Sequence, residues 1–354
     1  MITKDEIKTI ETKFRQRIEI CQTQGHSELY LAWLKLNRLG NNHLVELMRE
    51  IPKNVTTLDL SYNDLGSLGA EGIKTALQGI PENITTLLLY ANDLNNLRAE
   101  GLKTALQGIP KNTTTLSLSC NSLFALGTNG LKTALQGIPK NVTTLFLGAN
   151  YLWLLGTKNL TSVLQDIPES VTTLNLCAND LYMLGAEGQT SVLQGTPESI
   201  TTLDLGHNKL DRLDLVDLAK ALATIPDHVT CVHLSDNHLF INKSTKEINA
   251  FLQQLGKARH RFHLSGNGES QLARSLAPVA LLTQQSSTTI SNLPVLPRDV
   301  AAHILSFLDT NHKPKNQIRF FNSQLEQTIK TIEKIQSSKS TQNKSQAPNS
   351  MSRN

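Results

Sequence analysis

Apolar and polar positions alternate along most of this chain in one recurring pattern. The stretch Val55-Thr-Thr-Leu-Asp-Leu-Ser-Tyr-Asn-Asp-Leu65 returns with its asparagine at Asn63, Asn92, Asn121, Asn150, Asn179, Asn208 and Asn237, always 29 residues on. An eighth, degraded copy ends one residue late, at Asn267. A fixed period of roughly 20–50 residues marks a solenoid or similar array. Within a copy, Thr56 to Leu60 alternates and predicts a short strand, with Leu58 and Leu60 on one face and Thr57, Asp59 and Ser61 on the other. After Leu65 the period changes. Ile73, Leu77 and Ile80 form one stripe of a helix, which Pro81 ends, with Gly79 just ahead of it as a C-terminal signal.

One strand–turn–helix unit cannot bury both its apolar faces, but stacked units can. Paired strands lie about 4.8 Å apart and packed helices roughly 8–10 Å apart, so the stack curves with its strands inside. Ahead of the repeats, Thr3 and Glu6 form a capping box for a helix carrying Ile7, Ile10, Phe14 and Ile18. Residues 29–52 then read as a shortened repeat with Asn37 in the asparagine's place, a cap for the exposed leucines. The fifth copy departs on its helix, where Gln189 and Thr196 replace core aliphatics, and it is expected to be the softest point of the stack. After Asn267 the period ends. A last helix through Leu272, Leu276 and Val279 is followed by a polar linker over 284–292, a helical segment over 293–335 and a polar tail over 336–354 expected to be disordered. The repeats proper span 53–283 and the N-terminal helix with its capping unit spans 1–52.

Against this uniform scaffold, the positions that vary on the inner face and its rim are the candidate chemistry. Between the two strand leucines run Asp59, Leu88, Ser117, Phe146, Asn175, Asp204, His233 and His263. One residue past the second leucine the row includes Ser61, Tyr90 and Cys177. Three past each asparagine come Phe124, Trp153 and Tyr182 in consecutive copies, with Tyr151 beside them. In a chain only 5% aromatic, Leu88, Tyr90, Phe124, Phe146, Tyr151, Trp153 and Tyr182 form a concentration suited to protein binding. The competing reading packs the last row under the rim on Leu126, Leu155 and Leu184. A second patch, Asp204, His207, His233, His238 and His263, reads as polar contact surface, sensitive to mildly acidic pH. It has no closed ligand set at a standard spacing, so no metal is expected. The asparagine ladder reads as structural, its amides serving turn backbone.

Composition excludes several classes. No apolar run approaches the length of a membrane span, and the N-terminal segment has no apolar signal core. The Asn-x-Thr sequons at Asn54, Asn83, Asn112 and Asn141 therefore read as repeat grammar. Four cysteines without CxxC spacing are expected to be reduced thiols. The net charge of +4 sits in the tail: from residue 310 onward eight Lys/Arg face two Asp/Glu, leaving the rest slightly acidic and unsuited to a nucleic-acid groove. No nucleophile–base, metalloprotease or phosphate-loop motif appears, so neither an enzyme nor a cofactor is expected.

The residues Val55, Leu58, Leu60, Asn63, Leu65, Gly69, Ile73 and Leu77 occupy the LxxLxLxxNxL and LxxxGxxxLxxxL positions of the leucine-rich repeat, and the chain resembles its ribonuclease-inhibitor subfamily over roughly residues 53–268. The glycine is kept at Gly127, Gly156 and Gly185 and replaced by Arg98 and Asp214. The resemblance implies an α/β solenoid, a horseshoe with parallel strands on its concave face, helices on its convex face and helical caps at both ends. It implies a monomer that binds a client protein on the concave face. By analogy within the subfamily, the alternative is a small-GTPase-activating or other enzyme-regulating role. In 293–335, Leu296 and Pro297 followed by Ile304, Leu305, Ser306 and Leu308, with Val300 on the same stripe, resemble the opening of an F-box, which implies contact with a Skp-type adaptor of cullin ubiquitin ligases. The bland alternative is an amphipathic helix closing the solenoid. The repeat phrase together with that tail resembles leucine-rich-repeat effectors of intracellular bacteria, which implies a protein cytoplasmic in its producer and delivered into host cells without a classical signal peptide.

Overall fold

A computed structural model of the chain describes residues 3–268. The expectations for the last helix, the linker, the F-box-like segment and the tail lie outside the described residues. Strands β1 (Glu28–Tyr30), β2 (Thr57–Asp59), β3 (Thr86–Leu88), β4 (Thr115–Ser117), β5 (Thr144–Phe146), β6 (Thr173–Asn175), β7 (Thr202–Asp204), β8 (Cys231–His233) and β9 (Phe262–His263) form one parallel sheet in sequence order. Its register is strict: Leu58 lies opposite Leu87, then Leu116, Leu145, Leu174, Leu203, Val232 and Phe262. That row and the second row, Leu60, Leu89, Leu118, Leu147, Leu176 and Leu205, are wholly buried.

Each strand runs into a tight turn and then a helix packed against the next: α2 (Asn41–Arg49), α3 (Gly69–Gln78), α4 (Arg98–Leu106), α5 (Gly127–Leu135), α6 (Thr157–Leu164), α7 (Gly185–Gln194), α8 (Leu215–Ala223) and α9 (Thr245–Leu255). The glycine before each proline serves spacing and not a left-handed cap, since Gly79 has φ −74°. At Gly108 and Gly137 an added Cβ would lie 2.3 and 2.4 Å from the carbonyl oxygens of Lys74 and Lys103, so only glycine lets these helix ends approach. The entry to each helix differs in kind. Gly69, Gly127, Gly156 and Gly185 have φ between 65° and 75°. Arg98 keeps that conformation at φ 59°, at a cost of order 1 kcal/mol or more. Asp214 abandons it, and its carboxylate caps α8 by accepting from the N–H groups of Val216 and Asp217.

The asparagines hold the stack together. Asn121 Oδ1 accepts from the N–H groups of Asn92 (2.9 Å) and Leu94 (3.2 Å), both in the preceding copy. Its Nδ2 donates to the carbonyls of Leu89 and Leu118, each at 3.0 Å. The set recurs from Asn63 to Asn267, except that Asn92 Nδ2 donates to the Tyr90 carbonyl within its own copy instead of that of Leu89, and every one of these amides is sealed from water. The sequon asparagines act at the opposite corner: Asn54, Asn83, Asn112 and Asn141 donate to carbonyls of the preceding unit, those of His26, Val55, Glu82 and Lys111. Where serine replaces them, Ser170 Oγ and Ser199 Oγ are buried without a partner.

The capping unit corrects the sequence reading. Pairing sets Leu29 opposite Leu58, which brings Leu34, not Asn37, to the asparagine's place. Leu34 precedes Pro52 by the same interval as Asn63 precedes Pro81, so the unit is of full length. The ladder amides serve the turn of the unit before them, and no unit precedes this one, so a buried leucine suffices. Over it lies α1 (Lys4–Thr23), which buries Ile10, Phe14, Ile18 and Cys21 and begins at the Thr3–Glu6 capping box. Arg17 donates to the carbonyls of Tyr30 (2.8 Å) and Ala32 (2.9 Å), closing the sheet edge that would otherwise recruit another strand.

Candidate protein-binding face

Because the strand leucines are drawn inward, every other strand side chain stands on the concave face. The row between the leucines runs from Tyr30 through Asp59, Leu88, Ser117, Phe146, Asn175, Asp204 and His233 to His263, each opposite its neighbour. A second row lies one residue before each asparagine: Trp33, Tyr62, Ala91, Cys120, Ala149, Ala178, His207 and Asp236. All of its members have φ between 51° and 64°.

At the first strands these rows bring aromatics together. The Trp33 and Tyr62 rings stack at 3.9 Å and 11°, and Tyr62 meets Tyr90 at 5.2 Å. Trp33 is 68% exposed and Tyr30 54%. Hydrogen bonds to Tyr62 and then Cys120, with burial, raise the Tyr90 phenol well above its ordinary value. The Tyr30 hydroxyl donates to the Glu28 carboxylate, which likewise raises its pKa, and Asp59 adds in the same direction. Leu88 and Tyr90, both expected at a binding face, join this cluster half-buried. Tyr30, Trp33 and Tyr62 were not anticipated. For Trp33 and Tyr62 the signal was their 29-residue spacing, and for Tyr30 the capping unit's true register.

The other expected aromatics stand elsewhere. Phe146 is half-buried on β5 between Ser117 and Asn175. On the rim, Phe124 meets the exposed Tyr151 edge-on at 5.9 Å. Trp153 and Tyr182 are half-buried, neither sealed under the rim nor fully open. The Arg212 guanidinium lies 4.7 Å from the Tyr182 ring centroid and donates to its hydroxyl at 2.6 Å. Leu154 and Met183, each 47% exposed, continue this rim surface.

The polar patch gathers at the last strands. The His233 and His263 rings stack at 4.7 Å. Burial first, and then the neighbouring His233, lower the His263 pKa. His207 Nε2 lies 3.4 Å from Asp236 Oδ2. Asp204 is committed to its own chain: Oδ1 accepts from the Gly206 N–H at 2.9 Å and Oδ2 from Asn175 Nδ2 at 2.5 Å. All four cysteines are free thiols. Among the described residues no helix is long and apolar enough to cross a membrane.

No protein-family model and no curated protein sequence matches the chain. Among solved structures, the leucine-rich repeat-containing protein LegL7 from Legionella pneumophila is similar with a TM-score of 0.65 and 25% identity, over 77% of this chain and 93% of that one. The fold is a leucine-rich-repeat solenoid. A chain from the yeast Rad7–Elc1 complex gives a TM-score of 0.35 at 13% identity, over 66% of this chain and 73% of its own, and bears no argument. As in the expected solenoid, the strands line the concave side and the helices the convex side.

Proposed function

We propose that this solenoid binds a client protein through its concave face, centred on Tyr30, Trp33, Tyr62, Leu88 and Tyr90. One observation carries the reading. Trp33 and Tyr62 hold a left-handed backbone that bulky residues disfavour, at positions where Ala91, Ala149 and Ala178 hold the same turn. The fold therefore has no use for an aromatic there, yet the two side chains stack in water. Exposed aromatics of this kind, framed by polar groups such as Glu28 and Asp59, are typical anchors of protein contacts. Phe124, Phe146, Tyr151, Trp153 and Tyr182 extend the surface along the face and rim, and Asp204, His207, His233 and His263 form its polar end.

The repeat phrase, together with the likeness to a Legionella pneumophila repeat protein, supports a host-directed bacterial effector. In that role the segment 293–335 joins the client to a cullin-type ubiquitin ligase through a Skp-type adaptor, with Leu296, Pro297, Val300, Ile304, Leu305 and Leu308 as contacts. The test is affinity capture from host-cell lysate with the full chain. Trp33→Ala/Tyr62→Ala/Tyr90→Ala is expected to reduce client recovery about tenfold or more while leaving the adaptor. Leu296→Asp/Ile304→Asp is expected to do the reverse. Unchanged client recovery in the aromatic variant refutes the concave-face reading, and adaptor capture that ignores Leu296 and Ile304 refutes the ligase link.

A further inference from the structure

Three soft donors meet at the last strands of the sheet. Cys231 and His233 are two residues apart on β8, so both leave the concave side of the strand. His263 on β9 lies directly opposite His233 in the parallel register. Cys231 Sγ stands 3.4 Å from His233 Nε2. One ligand atom from each of the three residues lies within 4.8 Å of those of the other two. Zinc–sulfur and zinc–nitrogen bonds of about 2.3 and 2.0 Å in a tetrahedron place donors roughly 3.3–3.6 Å apart, so small side-chain rotations close the set.

We propose that Cys231, His233 and His263 form a three-ligand site for a zinc-class divalent cation, with the fourth position open toward the concave side. Thiolate and imidazole are the donors that select such a metal over calcium or magnesium, which take oxygen ligands. The donors stand on paired strands, whose spacing the sheet fixes, and not on loops. In the other described strands the ladder position of Cys231 holds threonine from β2 to β7, and the partners of His233 along its row are not histidine until β9. Asp204 lies opposite His233 in the register with β7, and a carboxylate on this face favours a cation there. On binding, the Cys231 thiol gives its proton to solvent and its sulfur takes the metal, while both imidazoles bind neutral. Water completes the fourth position. Sequence spacing alone did not indicate this set, because Cys231 and His263 are 32 residues apart and meet only through the pairing of β8 with β9.

The test is titration of the full chain with cobalt(II) under reducing conditions, followed by competition with zinc. Binding of about one equivalent is expected, with a thiolate-to-cobalt charge-transfer absorption that zinc abolishes. Cys231→Thr restores the ladder's own residue and so leaves the fold intact. It is expected to lose that absorption, and His263→Gln is expected to weaken binding more than tenfold, on the order of what ligand-shell changes cost. Cys177→Ala, altering another concave thiol, is expected to change neither. Absence of the absorption from the parent chain, its persistence in Cys231→Thr, or its loss in Cys177→Ala overturns the assignment.

Discussion

The third and fifth copies of the repeat share one inner half and differ in the outer half. Asn121 and Asn179 make the same bonds: Oδ1 accepts from two N–H groups of the preceding copy at 2.9 and 3.2 Å in both. Their Nδ2 groups donate to carbonyls of the preceding and the same copy at 3.0–3.1 Å. On the helix side, α5 buries Leu131 and its following Ile138, whereas α7 buries Gln189 and Thr196 at the same positions. The polar groups are accommodated: Gln189 Nε2 donates to the Leu181 carbonyl and Thr196 Oγ1 to that of Leu193. The corners on either side of this copy carry the unpaired hydroxyls of Ser170 and Ser199. The backbone path is therefore set on the strand side, and the helix side can lose apolar contact without changing it.

The largest effects test the shared half. Asn121→Ala and Asn179→Ala each leave two buried N–H groups without an acceptor and take one donor from three carbonyls, for a loss on the order of 4 kcal/mol. The two losses in chemical denaturation are expected to agree closely, and a much smaller loss at Asn179 would break the equivalence of the inner halves. Next come the outer halves. Gln189→Leu/Thr196→Ile restores the aliphatic stripe and is expected to stabilise the chain by about 1–3 kcal/mol. In the parent chain, amides of α7 are expected to exchange hydrogen faster than those of α5, and the double substitution to remove the difference. Equal protection in the parent would show that the polar positions cost nothing. The smallest effect belongs to the corners. Ser170→Asn and Ser199→Asn, which reinstate the amide of Asn112 and Asn141, are each expected to add roughly 0.5–1 kcal/mol in the denaturation midpoint analysis.

Much of the architecture was legible in particular residues. Leu58, Leu60 and Asn63 predicted the strand, its inward face and the amide ladder, since each role is local to one copy and repeats with it. The sequon asparagines were legible as structural for the same reason. Less was legible at the ends. Asn37 was a natural choice for the capping unit's asparagine, but with no preceding turn to serve, the position falls to Leu34. That error of register hid Tyr30 and Trp33 from the concave rows. The replacements of the helix-entry glycine illustrate the same limit: Arg98 keeps the glycine conformation and Asp214 substitutes a side-chain cap, and composition does not distinguish them.

By itself the sequence determined the period, the buried leucine rows and the amide ladder, because equal spacing forces equivalent residues into equivalent places. Only the tertiary structure decided that Arg17 closes the first sheet edge and that Cys231 meets both His233 and His263. Each of these contacts joins residues at different positions of the repeat or at its ends, where neighbouring chain and not the period chooses the partner.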